Sequence, residues 1–356
     1  MNPRSPRSPR EPTGAAQNGT TYPWMRFSDE KLLDLRLKDL GVRIAATSLE
    51  DRIEELYDNL GRRGLRFRPH VWLSSEWFTP KGVPGVAAPF YLAHKRLMRL
   101  ERNLMLECEG GSRQECMMLL RHECGHALQH AYQLHRMRSW QRLFGLSSSP
   151  YPDVYRPDPT SRRHVQHLGR FYAQSHPDED FAETFAVWLQ PRQNWRRRYR
   201  NWPALSKLEY VDQLMGEIKD RPQKVRGHRK VDPLDSLTMT LREHYAQRRS
   251  RYETRPPELY DSQLKRLFSD EPRHRNCQRA SAFLRKNRAE IRQLVARWTG
   301  EYQYTLNQVQ GDMIDRCREL KLRAAGPGRQ LLMDFAVLLT VETMHHHYSR
   351  RSWIAL

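Results

Sequence analysis

The chain has 356 residues, 38% of them hydrophobic, and a mean hydropathy of −0.85, which is room for two domains, or for one with appendages, with polar surfaces around a core. No apolar run reaches the roughly 18 residues of a membrane span, no charged-then-apolar stretch reads as a secretory signal, and five scattered cysteines argue against a disulfide framework, so the reducing cytoplasm is the expected location. Sixty-one Lys and Arg against 41 Asp and Glu give a formal charge of +20, which attracts polyanions (nucleic acid, acidic peptides or anionic lipid) without choosing among them.

Residues 1–27, with Ser-Pro-Arg at Ser5–Arg7 and again at Ser8–Arg10, read as a disordered basic arm without a periodic apolar face. Order is expected from Ser28, and residues 28–218 form the first domain. Ser48 is a candidate helix cap, Leu49, Ile53, Leu56 and Leu60 share a face, and Gly61 supplies a left-handed stop. Phe67, Val71 and Leu73 at period two predict a strand over 65–75. Pro84 and Pro89 make the apolar stretch Pro84–Leu92 an expected edge strand, because proline cannot donate to a central ladder. Residues 95–106 fit a strand or a helix. After Gly110-Gly111, Ser112 and Glu115 form a capping box, and the helix that follows runs to about Gln133. Residues 147–161 read as loop. A further helix opens near Ser175-His176-Pro177, since proline suits the first turn, and reaches about Leu189. Residues 219–230, basic and holding Pro and Gly, read as a linker. Residues 231–356 read as a helical C-terminal domain, with helices over 234–249, 258–268, 278–298, 303–323 and 328–348.

The chemistry concentrates in His122-Glu123-Cys124-Gly125-His126, an H-E-x-x-H inside a helix that its own cap predicts. Residues four apart share a helical face, so both imidazoles can reach one tetrahedral Zn²⁺, and Glu123 can reach a water on that ion. A polar patch on a solvated helix is the alternative. Against it, Gly125 costs roughly 1 kcal/mol in a helix interior, so something should require its missing side chain. A third ligand must come from elsewhere. His130 stands about 12 Å from His122 along a straight helix, and Gln129 and Tyr132 occupy the positions where the extended three-histidine motif has Gly and His. His130 is therefore read as a packing or solvated residue. Cys124 lies about 200° round the helix from His122 and is read as a buried, inert thiol. Cys108 and Cys116 lack paired spacing, and His345-His346-His347 read as surface. The helix after Pro177 carries Glu179 and Glu183 four apart on one face, with Phe181 and Phe185 pointing elsewhere. One carboxylate would bind zinc and the other would orient a ligating imidazole. Asp178 and Asp180 are explained by the helix dipole alone.

Together with Trp77-Phe78-Thr79-Pro80, Gly82-Val83-Pro84-Gly85 and Pro89 to His94, these blocks make residues 65–215 resemble the zinc-binding metallopeptidase family often called peptidase Mx, within the zincins that use Glu as third ligand. The resemblance implies a zincin-like α+β domain with a small twisted sheet beside the active-site helices. It implies His122, His126 and Glu179 as ligands of Zn²⁺, Glu123 as general base and Glu183 behind a ligating imidazole. Tyr172, seven residues before Glu179, matches a tyrosine that stabilises the oxyanion in related zincins, with Tyr151 and Tyr155 as competitors.

Trp195-Arg196-Arg197-Arg198-Tyr199-Arg200-Asn201-Trp202 interleaves stacking and cationic groups. It reads first as an amphipathic element with Trp195, Tyr199 and Trp202 inside, and second as a cleft wall selecting acidic substrates, with Arg162, Arg163, His164 and Arg170 adding to its field. The expected function is a zinc-dependent peptidase acting on peptide or protein substrates, acidic ones preferred, with no membrane partner. The alternative is a nucleic-acid-binding protein with a structural or non-catalytic zinc site. The charge supports that alternative. A task for Glu123, and a site with fewer than four protein ligands, count against it.

Overall fold

The computed structural model describes residues 21–152, 155, 157–250 and 260–349. The chain is mostly helical, with one sheet of two parallel strands among the described residues. Strand β1 (His70–Ser74) pairs with β2 (Gly85–Pro89) from His70↔Gly85 to Ser74↔Pro89. Residues 65–69 keep the period-two alternation, Leu65 and Phe67 inward and Arg66 and Arg68 outward, but join no strand ladder among the described residues, so the strand is shorter than the pattern predicts.

The edge strand expected over Pro84–Leu92 is shorter, Gly85–Pro89, one of the two strands of the sheet. All five residues of β2 are buried, and Phe90–Ala93 turn into a 3-10 helix. On the side away from β1, Phe78 exchanges both backbone bonds with Ala87, at 3.4 and 2.9 Å. That bridge is isolated, so β2 remains an edge of the two-stranded sheet. The ambiguous stretch after it is a helix, Lys95–Met105, with Leu97, Met98, Leu100 and Met105 buried.

Several helix ends differ from the pattern by a residue or a few. The helix Ser48–Arg62 is capped by Thr47 instead of Ser48, and its left-handed stop is Gly64 (φ +77°), because Gly61 is still helical. Residues 1–20 lie outside the described residues, but Trp24 is buried and its indole N–H donates to the Leu40 carbonyl at 2.8 Å, so order begins before Ser28. An isolated Trp has no periodicity to announce it.

One hydrophobic cluster runs from Trp24 to Tyr245 and a second gathers residues 260–339. Leu234, Leu241 and Tyr245 join the first cluster, so residues 231–250, including the helix Leu241–Ser250, pack with the first body rather than with the C-terminal helices. The basic stretch 219–230 forms no helix or strand and lies against that body: the N–H groups of Lys224 and Val225 both donate to the Ala131 carbonyl at 2.9 Å. The expected helix over 278–298 is two, Ala280–Lys286 and Arg288–Thr299, and residues 258–259 of another lie outside the described residues. No helix among the described residues is long and apolar enough to cross a membrane. All five cysteines are unpaired.

What positions the site is a crossing of two helices: Arg113–Tyr132, here the histidine helix, and Pro177–Leu189, the carboxylate helix. Ser112 caps the first, its hydroxyl accepting from the Glu115 N–H at 3.1 Å; the His176 imidazole caps the second, accepting from the Asp178 N–H at 3.1 Å. Where they meet, a Cβ on Gly125 would lie 2.9 Å from the Cα of Ala182 and 3.3 Å from its carbonyl oxygen. Two backbones therefore touch, and only glycine fits on the histidine helix. Gly125→Ala should lower stability by about 1–3 kcal/mol in denaturant melts, because the atom met is main chain and cannot swing away. Gly61→Ala, also helical but with nothing within 4 Å of the new Cβ, should raise stability by about 0.5–1 kcal/mol. Equal effects at the two positions would contradict this account of the crossing.

Candidate metal centre

The crossing brings His122 and His126 beneath Glu179. His122 Nε2 and His126 Nε2 are 3.1 Å apart, and Glu179 Oε2 lies 3.0 Å from the first and 3.1 Å from the second. This nearly equilateral triangle is the one group of three or more His, Cys, Asp or Glu residues among those described whose donor atoms could hold a metal ion. A tetrahedral zinc with bonds of about 2.0–2.1 Å spaces its ligand atoms roughly 3.3 Å apart, so two imidazoles and one carboxylate fit such an ion in both chemistry and spacing.

Glu183, one turn further along the carboxylate helix, does not face the triangle. Its Oε1 accepts from His122 Nδ1 at 2.8 Å and its Oε2 accepts from the Leu168 N–H at 2.8 Å. A carboxylate in this position can only accept, so a proton sits on Nδ1 and Nε2 is the nitrogen that faces the triangle. Glu183 is completely buried, and both its oxygens are committed.

The electrostatics favour a cation at the centre. Burial opposes a charged imidazole at His122, yet hydrogen bonds and charge from Glu179 and Glu183 outweigh it and hold the ring well above the ordinary histidine range. His126 is raised against the same burial by Glu179. Burial pushes the Glu179 carboxyl up, but the two imidazoles dominate and leave it far below the carboxylate range. Carboxylates buried so that positive charge is stabilised between them suit a divalent ion.

Glu123 flanks this triangle without joining it. The Thr79 hydroxyl donates to it, with Oγ1 2.9 Å from Oε2 and 3.1 Å from the Glu123 carbonyl oxygen. Its other oxygen, Oε1, has no hydrogen bond among the described residues. Tyr172 lies beside the site, its ring 5.6 Å from that of His122, and burial together with the charge of Glu179 keeps its hydroxyl protonated far above the ordinary range. Tyr151 donates to Glu179 Oε1 at 3.0 Å and stacks on His176 with ring centres 3.7 Å apart. Tyr155 does not line the cleft.

The donor triangle, Glu123, Thr79, Tyr172 and Tyr151 line one cleft of about 1070 Å³. Six carboxylates line it, among them Glu76, Glu109 and Glu115, against two cations, Lys81 and Arg248. Burial pushes Glu109 up to about 7. None of Arg162, Arg163, His164 or the Trp195–Trp202 cluster lines the cleft, and the side chain of Arg170 lies outside the described residues. That cluster is instead the amphipathic element, with Trp195 and Tyr199 buried and Arg196 covering the Trp195 ring at 4.0 Å and pairing with Asp212 at 2.5 Å. His130 lines the cleft outside the donor triangle. Burial, with His126, His135 and Lys81 nearby, pushes it down to about 3, so it stays neutral. Cys124 is buried among apolar side chains.

Sequence reasoning assigned no role to Thr79, although its Trp-Phe-Thr-Pro block stood out, and none to the backbone of Leu168. The first is 44 residues from its partner and the second 15, and no local spacing ties such pairs together.

A histidine pair, a buried carboxylate and an adjacent free glutamate define a candidate metallohydrolase centre. Residues 115–198 match the family model described as putative zinc-binding metallo-peptidase. The matched stretch holds the whole donor triangle; the blocks at 77–94 lie outside it. No curated protein and no solved structure matches the chain.

Removing either carboxylate should separate their roles. Glu179→Ala should lose bound zinc, whereas Glu183→Ala should keep it with an affinity about 10–100-fold lower, as read by metal analysis after dialysis against graded chelator. Full zinc in Glu179→Ala with loss in Glu183→Ala would reverse the assignment.

Proposed function

We propose that the chain is a zinc-dependent peptidase with a zincin-like catalytic domain, in which His122, His126 and Glu179 hold the ion and Glu123 is the general base. The observation that carries this reading is the juxtaposition of a complete three-donor triangle with a carboxylate that has one oxygen anchored by Thr79 and the other free. A structural zinc site is normally closed by four protein ligands; here three converge beside an open cleft. Bound zinc supplies Lewis acidity, polarising a carbonyl and lowering the pKa of water toward about 7.

The remaining work falls to side chains of this chain. The free oxygen of Glu123 takes a proton from the attacking water and returns it to the leaving amine. Thr79 holds that carboxylate in one orientation. Glu183, itself fixed by the Leu168 N–H, holds the His122 ring. Tyr172, whose hydroxyl stays protonated, donates to the oxygen that gains charge as the peptide carbonyl is attacked. Tyr151 is less suited to that task because its proton is committed to Glu179.

An extended peptide would lie along residues 76–79, which line the cleft on the far side of β2, and not on β2 itself. The carboxylates around the cleft argue for cationic or neutral side chains there and against an acidic preference, so a basic peptide should be cut faster than an acidic one at low salt, with the gap narrowing as salt rises.

Glu123→Gln tests the mechanism. The amide keeps the size of the side chain but cannot take a proton at neutral pH. Zinc content and melting temperature should match those of the unaltered protein, while turnover of a cleaved peptide falls by about 10²–10⁴-fold. Unchanged turnover in a zinc-loaded Glu123→Gln protein would remove Glu123 from the mechanism.

A further inference from the structure

A second cavity, about 520 Å³, shares no lining residue with the cleft. One wall is the extended segment leading into β1. Its alternation buries Leu65 and Phe67 and leaves Arg66 and Arg68 exposed on the other face. The opposite wall is the stretch after the helix Ala204–Ile218, which contributes Lys219, Arg221 and Arg226, all exposed. That wall is tied down. Besides the two bonds to the Ala131 carbonyl, His70 Nε2 donates to the Arg229 carbonyl at 2.9 Å, and the Trp72 indole and the Ser74 hydroxyl donate to the carbonyls of Val231 and Asp232 at 3.0 and 2.6 Å.

Some arginines elsewhere in the chain are paired. Arg248 meets Glu101 at 2.6 Å, Arg316 meets Asp261 at 2.6 Å and Arg242 meets Asp34 at 2.9 Å. Arg66, Arg68, Lys219, Arg221 and Arg226 form no ion pair among the described residues, and the one carboxylate lining their cavity is Asp220. Two walls thus hold five unpaired cations, against one carboxylate, around a common space.

We propose that this groove binds the phosphodiester backbone of a single-stranded nucleic acid. The cations form rows and do not converge on one point. Arg66 and Arg68 stand two residues apart on an extended segment, about 6.6 Å along it, with the other wall running beside them. Such rows suit a chain that repeats its charge, whereas one isolated phosphate is held by donors that converge. Flat groups are at hand for unstacked bases: the Arg68 guanidinium, carried over the Tyr57 ring at 5.2 Å, and the exposed His228, edge-on to His70 at 5.1 Å. The inference is independent of the peptidase reading, because no ligand of the candidate metal centre borders the groove.

The test uses the full chain and a fluorescein-labelled oligo-dT of about 16 nucleotides, with anisotropy titrations between about 50 and 200 mM salt. The double variants Arg66→Ala/Arg68→Ala and Arg221→Ala/Arg226→Ala each remove two groove cations. Arg197→Ala/Arg200→Ala removes two exposed cations elsewhere and is the control for net charge. Zinc content and melting temperature report the fold of each variant.

Each groove pair should weaken binding about tenfold or more and flatten the log–log salt dependence by roughly 1.4, the share of two phosphate contacts on a single strand. The control should change affinity less than about threefold, and a duplex of equal length should bind less tightly than the single strand. Equal losses in control and groove variants would overturn the proposal in favour of diffuse attraction. So would unchanged affinity in both groove pairs. Heparin competing as well as the oligonucleotide, or anionic vesicles of phosphatidylserine binding through the groove residues while the oligonucleotide does not, would overturn it as well and point to another polyanion.

Discussion

The contact between Gly125 and Ala182 is the constraint on which the site depends. A helix carries its side chains outward on a cylinder, and two helices normally stand 8–10 Å apart. Glycine on one and alanine on the other bring main chain against main chain, and that shortens the reach from one helix to its partner. The consequence appears within one turn of the contact. Glu179 arrives within hydrogen-bond distance of two imidazoles, and Glu183 arrives behind one of them. A wider separation would leave both carboxylates short of the rings, buried and uncompensated. The glycine that weakens its own helix is thus what lets the two helices share one centre.

Burial of so many ionisable groups is tolerated because they answer each other. Glu183 is held by an imidazole and a backbone N–H, Glu179 by two imidazoles and the Tyr151 hydroxyl, and Glu123 by Thr79. Glu183, His122, Glu179 and Tyr151 form one continuous chain of hydrogen bonds, with Glu123 and Thr79 beside it. The outer members come from segments without regular structure, Thr79 from the loop between the strands and Leu168 from the approach to the carboxylate helix. The helix pair supplies the donors and, through Glu183, the His122 tautomer, while the irregular segments hold Glu123 and Glu183 in place.

The charge of +20 describes the surface and not the cleft. Carboxylates outnumber cations around the candidate centre, while five unpaired cations gather in the separate groove beside β1. A sum over the sequence carries no information about this segregation. It depends on which face of the segment 65–70 is turned outward and on where residues 219–230 come to rest.

The local parts of the site were legible in the sequence because they rest on local physics. The i, i+4 spacing of His122 and His126, the Ser112 cap, the proline-led start at Pro177 and the inward face of the Trp195–Trp202 element all follow from helical geometry within a few residues. Gly125 could be singled out as a residue whose missing side chain something needs, and the carboxylate pair could be placed opposite it. Which carboxylate faces the imidazoles was implied by resemblance alone. The tertiary structure decided the rest, since the rest depends on contacts between segments far apart in the chain. Phe78 bridging to β2, Trp24 drawn into the core, Thr79 reaching Glu123 and residues 231–250 joining the first body have no signature in spacing or composition. Periodicity reports which face of an element is apolar, and only the packed chain determines what that face meets.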